Sequence, residues 1–254
     1  MHTIHTMKSM INQRIHIAPI GFEIDRVVLP AVEMKADLVY LMVHDNLSTD
    51  KAQKYHEEIQ KQLKKKKIKT ETVYANRFRL FDIIRVVKEL IEKNRKDSFY
   101  VNVASGSKIH AIGCMMACMM FDDRDNIHPF YPQAERYPTF KGNEQQTYGV
   151  VENHQLPTYQ LLTPKPDLLE ALKIIKEHGG RIQKKVLAEK AEEKKILNIG
   201  ARKENHSNAR FASLDKKIIQ PLLTTWRFIE EEKIGKNRWI SFTDDGENAS
   251  EFLF

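Results

Sequence analysis

The chain has 254 residues, of which 41% are hydrophobic and 30% charged. That is enough for one large domain or two ordinary ones with packed cores and solvated surfaces. No apolar run approaches the roughly 18–20 uncharged residues that would span a bilayer, and residues 1–14 lack the apolar centre of a signal peptide. A net charge of +7 favours an anionic partner.

Residues 1–14 read as a short disordered start, with Met7 and Met10 as candidate initiators. Arg14–Pro19 and Leu38–His44 are β-branched or apolar runs suited to buried parallel strands. Lys69–Ala75 and residues 98–104 look similar, and residues 126–130 and 146–151 are weaker strands. Residues 50–65 carry Ala52, Tyr55, Ile59 and Leu63 at helical spacing. Residues 79–92 place Leu80, Ile83, Ile84, Val87, Leu90 and Ile91 on one face. Residues 109–121 are apolar nearly all round, as a packed helix would be. This alternation predicts an α/β domain over 1–152, with a Rossmann-like, mostly parallel sheet. Ligands of such sheets bind beyond the carboxyl ends of the strands.

Three X-Pro pairs punctuate residues 153–166, which read as a linker. Over 167–254 a second domain follows. Asp167 is expected to cap a helix over 168–178 that ends at Gly179-Gly180. Residues 184–197 and 205–230 read as two further helices, with Pro221 dividing the latter. Gly235-Lys236-Asn237 then turns between two strand-like runs. Three helices followed by a hairpin is the order of a winged helix-turn-helix. From Arg181 to Arg227 there are 12 basic residues against 5 acidic, an excess as large as that of the whole chain. Such a segment suits double-stranded DNA, whose phosphates dominate affinity. Candidate contacts are Asn205, Ser207, Asn208, Arg210, Ser213, Lys216 and Lys217 on the third helix, with Lys236, Asn237 and Arg238 on the wing.

The stretch Asn102-Val103-Ala104-Ser105-Gly106-Ser107-Lys108 joins a strand to a helix. It offers backbone N–H groups, hydroxyls and an ammonium at a helix N-terminus, which is the chemistry a phosphate needs. After the first strand, Gly21 allows close backbone approach, and Asp25 or Arg26 reaches across the strand ends. Asp45 stands where a ribose-binding acid would, but the dinucleotide fingerprint G-x-G-x-x-G is absent. Cys114 and Cys118, among methionines, read as buried free thiols in a reducing cytoplasm. No cluster has metal-ligand spacing, and neither a metal nor another cofactor is expected. Lys64 to Lys67 read as a solvated helix end, Tyr131-Pro132 and Arg136-Tyr137-Pro138 as a stiff loop over the site, and His44 and His110 as weaker ligand contacts.

The paired segments from His16 to Arg26 and from Asn102 to Lys108 resemble archaeal proteins that join a CRISPR-associated Rossmann-fold (CARF) domain to a winged helix-turn-helix. The resemblance covers most of the chain, and Ile240 to Gly246 looks like the end of a wing. It implies a homodimeric transcriptional regulator whose two sensory domains share one pocket for a nucleotide second messenger. Cyclic oligoadenylate, cyclic tetra-adenylate first, is the leading ligand. By position, Gly21, Phe22, Asp25 and Arg26 would line the pocket from the first loop, and Ser105, Gly106, Ser107 and Lys108 from the later one. The later loop departs from the usual Thr or second Gly. The rival class is a metal-independent ring nuclease using Ser105, Ser107 and Lys108.

Overall fold

The computed structural model describes residues 12–46, 50–121, 125–139, 142, 144–159, 161–200 and 205–254. Met7 and Met10, and the expected disordered start up to residue 11, lie outside them. The chain divides into two compact units, Met1–Leu161 and Leu162–Phe254.

In the first unit, β1 (Arg14–Pro19), α1 (Asp25–Glu33), β2 (Leu38–His44), α2 (Gln53–Lys65), β3 (Lys69–Ala75), α3 (Leu80–Lys93), β4 (Ser98–Asn102) and α4 (Lys108–Met119) alternate in sequence. They are followed by β5 (Ile127–Gln133) and β6 (Glu152–Gln155). The sheet order is β3-β2-β1-β4-β5-β6, parallel except for the antiparallel β5–β6 pair. The expected Rossmann-like sheet is present. Its strand order reverses between β1 and β4, and a crevice at such a switch point is where open α/β sheets take ligands.

β2 is buried along its whole length, as a central parallel strand must be. Ala18, Val39, Leu41 and Val43 pack on one face with Val27 and Val28 of α1 and Ile59 and Leu63 of α2. Cys114 and Cys118 are buried free thiols on α4. Burial pushes Cys114 up to about 12, so it stays an unreactive thiol.

Several expected boundaries move for identifiable reasons. β4 stops at Asn102: Val103 N–H still donates to Phe130 O, but the Asn102 side chain takes the N–H groups of Ala104 and Ser105 and turns the chain away. Residues 146–151 are not a strand: Gly149 has φ +69° and its N–H is held by Asp25. The pairing partner of β5 lies just beyond, so residues 153–155 of the expected linker belong to β6.

The second unit runs α5 (Pro166–Glu177), β7 (Arg181–Gln183), α6 (Lys184–Glu193), α7 (His206–Leu214), β8 (Ile229–Ile234), β9 (Asn237–Phe242) and α8 (Asp244–Leu253). Its sheet order is β7-β9-β8. Leu168, Leu172 and Ile175 of α5 meet Leu187 of α6, Leu214 of α7 and Ile240 of β9 in one core.

The cap of α5 is Lys165 rather than Asp167, with Pro166 at the first helical position, where no N–H is lost. α6 ends at Glu193, four residues early, and the third helix does not reach Glu230. After Leu214 it widens into π-type turns over Asp215–Ile219 and Pro221–Thr225. There Gln220 N–H donates to Asp215 O, and Trp226 N–H to Pro221 O. Pro221 has no N–H for Lys217 O, and its ring would clash with that carbonyl in a regular α-helix; the wider turn relieves both. β7 and α8 were not expected. α8 starts two residues after β9, with Thr243 Oγ1 accepting from Gly246 N–H at 3.1 Å.

Candidate functional site

The loops after β1 and β4 meet glycine to glycine. A Cβ on Gly21 would lie 3.0 Å from both the N and Cα of Gly106. Gly106 itself has φ +80°, and a Cβ there would stand 2.8 Å from Pro19 Cβ and 2.9 Å from His110 Nδ1. Neither loop could carry a side chain at this contact and keep its path.

A second tie depends on a proline. Pro30 lies inside α1 and has no N–H to give Arg26 O, four residues back. That carbonyl instead accepts from Asn102 Nδ2 at 2.8 Å. The same Asn102 accepts through Oδ1 from Ala104 N–H at 2.9 Å and Ser105 N–H at 3.2 Å, which bends the chain off β4. Asn102 is thus the joint between both loops.

The two helix N-termini here differ. At α1, Gln145 Oε1 accepts from Ile24 N–H (2.8 Å) and Asp25 N–H (3.0 Å), so a side chain already fills the anion position. At α4, Ser107 is the N-cap and His110 completes a capping box. Ser107 N–H donates to His110 Nδ1 at 3.1 Å, and His110 N–H donates to Ser107 Oγ at 3.3 Å. Among the described residues, the N–H groups of Gly106, Lys108 and Ile109 have no acceptor. Lys108 is exposed and has no ion-pair partner among them.

His110 is buried and neutral: burial, then the charge of Arg77, pushes its pKa down to about 4. Because Nδ1 accepts from Ser107, the ring proton sits on Nε2, where it meets no acceptor among the described residues. Nearby, Arg77 pairs with buried Asp50, and His44 Nδ1 lies 2.9 Å from Asp45. His16 on β1 is buried beside Tyr100 and Phe130, which drives its pKa down to about 3.

The remaining expected residues divide by exposure. Gly106, Ser107 and Lys108 form the outer surface of the later loop. Ser105 is buried beneath it, its hydroxyl without a partner among the described residues. In the first loop, Phe22 packs against Tyr55, the tilted rings 5.4 Å apart at their centres. Asp25 Oδ2 accepts from Gly149 N–H at 2.8 Å. Arg26 is buried, with Nε donating to Pro132 O at 2.8 Å and NH1 lying 3.2 Å from both oxygens of Glu23. Burial raises the Glu23 pKa, and Arg26 opposes that. These first-loop side chains build the wall rather than face outward.

In the second unit, Ser207, Asn208, Lys216, Lys217, Lys236, Asn237 and Arg238 are exposed, as is Asn205 just before α7, while Ser213 is half-buried. Arg210 is turned inward, 3.1 Å from Glu192 and 3.7 Å from Glu189 of α6. Arg238 lies 3.2 Å from Glu231. A cleft of about 470 Å³ is lined by Lys184 and Lys185 of α6, Phe211 and Asp215 on the helix after it, and Lys236, Asn237 and Arg238 of the β8–β9 turn. Lys185 was missed from sequence because its helix was read apart from the wing.

Helix, short strand, two helices and a two-stranded wing closing on β7 make a winged-helix topology. Residues 167–253 match the model of the DUF6293 C-terminal winged helix domain. Residues 14–137 match the family model described as HFX_2341_N-like, N-terminal. The chain thus matches one family model over most of its first unit and a winged-helix model over most of its second. The protein MJ1513 of Methanocaldococcus jannaschii is 33% identical over 131 residues, which cover 48% of this chain and 38% of that protein. Among solved structures, Csm6 of Enterococcus italicus, bound to cyclic hexa-2'-fluoro-hexa-dAMP, is 11% identical with TM-score 0.41 over 86% of this chain and 57% of that one. Can2 of Sulfobacillus thermosulfidooxidans, in complex with cyclic tetra-adenylate, is 14% identical with TM-score 0.39 over 94% and 63%. VC1899 of Vibrio cholerae is 12% identical with TM-score 0.41 over 94% and 64%. The chain therefore spans less than two thirds of the length of each of these relatives. No described helix is long and apolar enough to cross a membrane.

Proposed function

We propose that this protein is a ligand-responsive, DNA-binding transcriptional regulator that senses a nucleotide-like anion. The supporting observation is the N-terminus of α4, where three backbone N–H groups lack an acceptor among the described residues and Lys108 is exposed in the first turn. The α1 N-terminus, by contrast, is filled by Gln145. The paired loops resemble those of CARF domains, which makes cyclic tetra-adenylate the first ligand to test. The winged helix, with its exposed lysines, is the output.

The reading includes a homodimer. Ile109 and Ile112 of α4 are 37% and 50% exposed, directly beside Lys108. A second copy packed on that face would bring two α4 N-termini to one ligand and bury the apolar surface at the same time. Lys108→Ala should weaken cyclic tetra-adenylate binding at least about tenfold in calorimetry, the loss expected of a charge-assisted contact. It should also remove any effect of the ligand on DNA retardation in gels. Unchanged affinity would refute the placement of the ligand at α4.

The sensor reading is favoured over a ring nuclease because Ser107 Oγ already accepts the capping bond from His110 N–H and Ser105 is buried. Incubation with cyclic tetra-adenylate should leave it intact; linear products would restore the enzyme.

A further inference from the structure

The strap between β5 and β6 plays no part in the phosphate reading. It leaves the carboxyl end of β5, so it rises on the same side of the sheet as the loops after β1 and β4. It is fastened to the first of those loops. Gln145 holds Ile24 and Asp25, Gln146 N–H donates to Phe22 O at 2.7 Å, and Gly149 N–H donates to Asp25. Its two limbs are pinned together where Arg136 and Tyr148 exchange backbone hydrogen bonds of 3.0 Å each, with the Arg136 guanidinium 5.7 Å from the Tyr148 ring centre.

A cleft of about 430 Å³ opens there, lined by Arg136, Tyr137, Pro138, Glu144 and Tyr148. The Tyr137 residue is 62% exposed, although it sits on a stiff Tyr-Pro step. Glu144 is held from behind, its carbonyl accepting from Tyr55 OH at 2.8 Å.

We propose that this cleft is a nucleobase subsite taking an amino-bearing purine, adenine above all, of the ligand whose phosphate rests at α4. Rigid tyrosine rings and a guanidinium plane offer the flat faces on which bases stack. The Glu144 carboxylate can only accept, which suits the exocyclic amine of adenine, whereas uracil offers it a single N–H flanked by two repelling carbonyls. The strap's bonds to the β1 loop place base and phosphate on one continuous rim. The proposal rests on the nucleotide-sensing reading above, and separate probes keep the two apart.

Adenosine reports on the cleft, inorganic pyrophosphate on the α4 loop, and cyclic tetra-adenylate on both. Adenosine should bind the full-length protein saturably and more tightly than uridine. Tyr137→Ala should weaken it about tenfold, the scale of one lost stacking partner, while Tyr137→Phe retains it. Pyrophosphate binding should be unchanged in Tyr137→Ala and lost in Lys108→Ala. Because Tyr137 is exposed, the melting temperature of Tyr137→Ala serves as the folding control. Adenosine that fails to bind, or binds equally well to Tyr137→Ala, overturns the subsite even if pyrophosphate and cyclic tetra-adenylate bind. Adenosine binding lost in Tyr137→Ala, with neither phosphate probe bound, upholds the subsite and overturns the phosphate reading instead.

Discussion

At the level of single residues, the candidate site depends on groups that never face a ligand. Gly106 must hold φ +80° in a space already bounded by Pro19 and His110. Gly106→Ala should therefore cost about 1–3 kcal/mol in backbone strain alone, before the clash is counted. Thermal unfolding of the first unit should record it, together with lost ligand binding. Lys108→Ala should lose ligand binding with no loss of stability, so the pair separates building the loop from using it.

His110 and His16 set a pH dependence. Both are held below the usual imidazole value of 6.5, at about 4 and about 3. The unfolded chain therefore takes up protons that the folded chain refuses. Stability is fully present above pH 6.5 and falls as pH drops through the window toward 4 and 3. The slope is about 1.4 kcal/mol per pH unit for each histidine. His16→Phe, among the rings of Tyr100 and Phe130, should flatten that slope by about one histidine's share in denaturant titrations from pH 7 to 4. An unchanged slope would show that His16 is not the titrating group.

At the level of elements, the DNA-binding proposal rests on the widened helix after Leu214 and the wing. Arg210 had seemed a base or phosphate contact, but its ion pairs with Glu189 and Glu192 tie α7 to α6. Arg210→Ala should lower the stability of the second unit and leave the salt dependence of DNA binding nearly unchanged. Lys217→Ala, at an exposed position, should instead reduce the slope of log affinity against log salt by about one. Equal slopes in wild type and Lys217→Ala would remove that lysine from the phosphate contacts. Gly246 marks where α8 docks, because a Cβ there would fall 1.8 Å from Phe228 O. Gly246→Ala should cost about 1–3 kcal/mol or more through overpacking. In a unit of this size each kcal/mol lowers the melting temperature by roughly 4–8 °C, which calorimetry would resolve.

At the level of the whole molecule, the reading is of two copies sharing a ligand and presenting two winged helices. Ile112→Glu, on the exposed side of α4, should convert a dimer to a monomer in light scattering. It should also abolish ligand binding without unfolding either unit. A monomeric wild type that still binds ligand would sink the shared pocket. If ligand shifts DNA affinity, the coupling should be about 1–3 kcal/mol, a change of roughly 5- to 150-fold in the retardation midpoint.

The alternation that builds the parallel sheet and the helix-then-hairpin order of the winged helix were legible in the chain, whereas α1, β7 and α8 were not. The legible features follow from hydrophobic period, β-branching and turn residues, which act over a few positions. Tertiary structure alone decided which site residues face outward. Arg26, Asp25, Ser105 and Arg210 carry the right chemistry, but groups distant in sequence claim or bury them. Gln145 lies 120 residues from the helix end it caps, and Asn102 reaches Arg26 O across 76 residues through the gap left by Pro30. No local pattern encodes those pairings. They arise from the sheet order, which sets the ends of β1, β4 and β5 side by side.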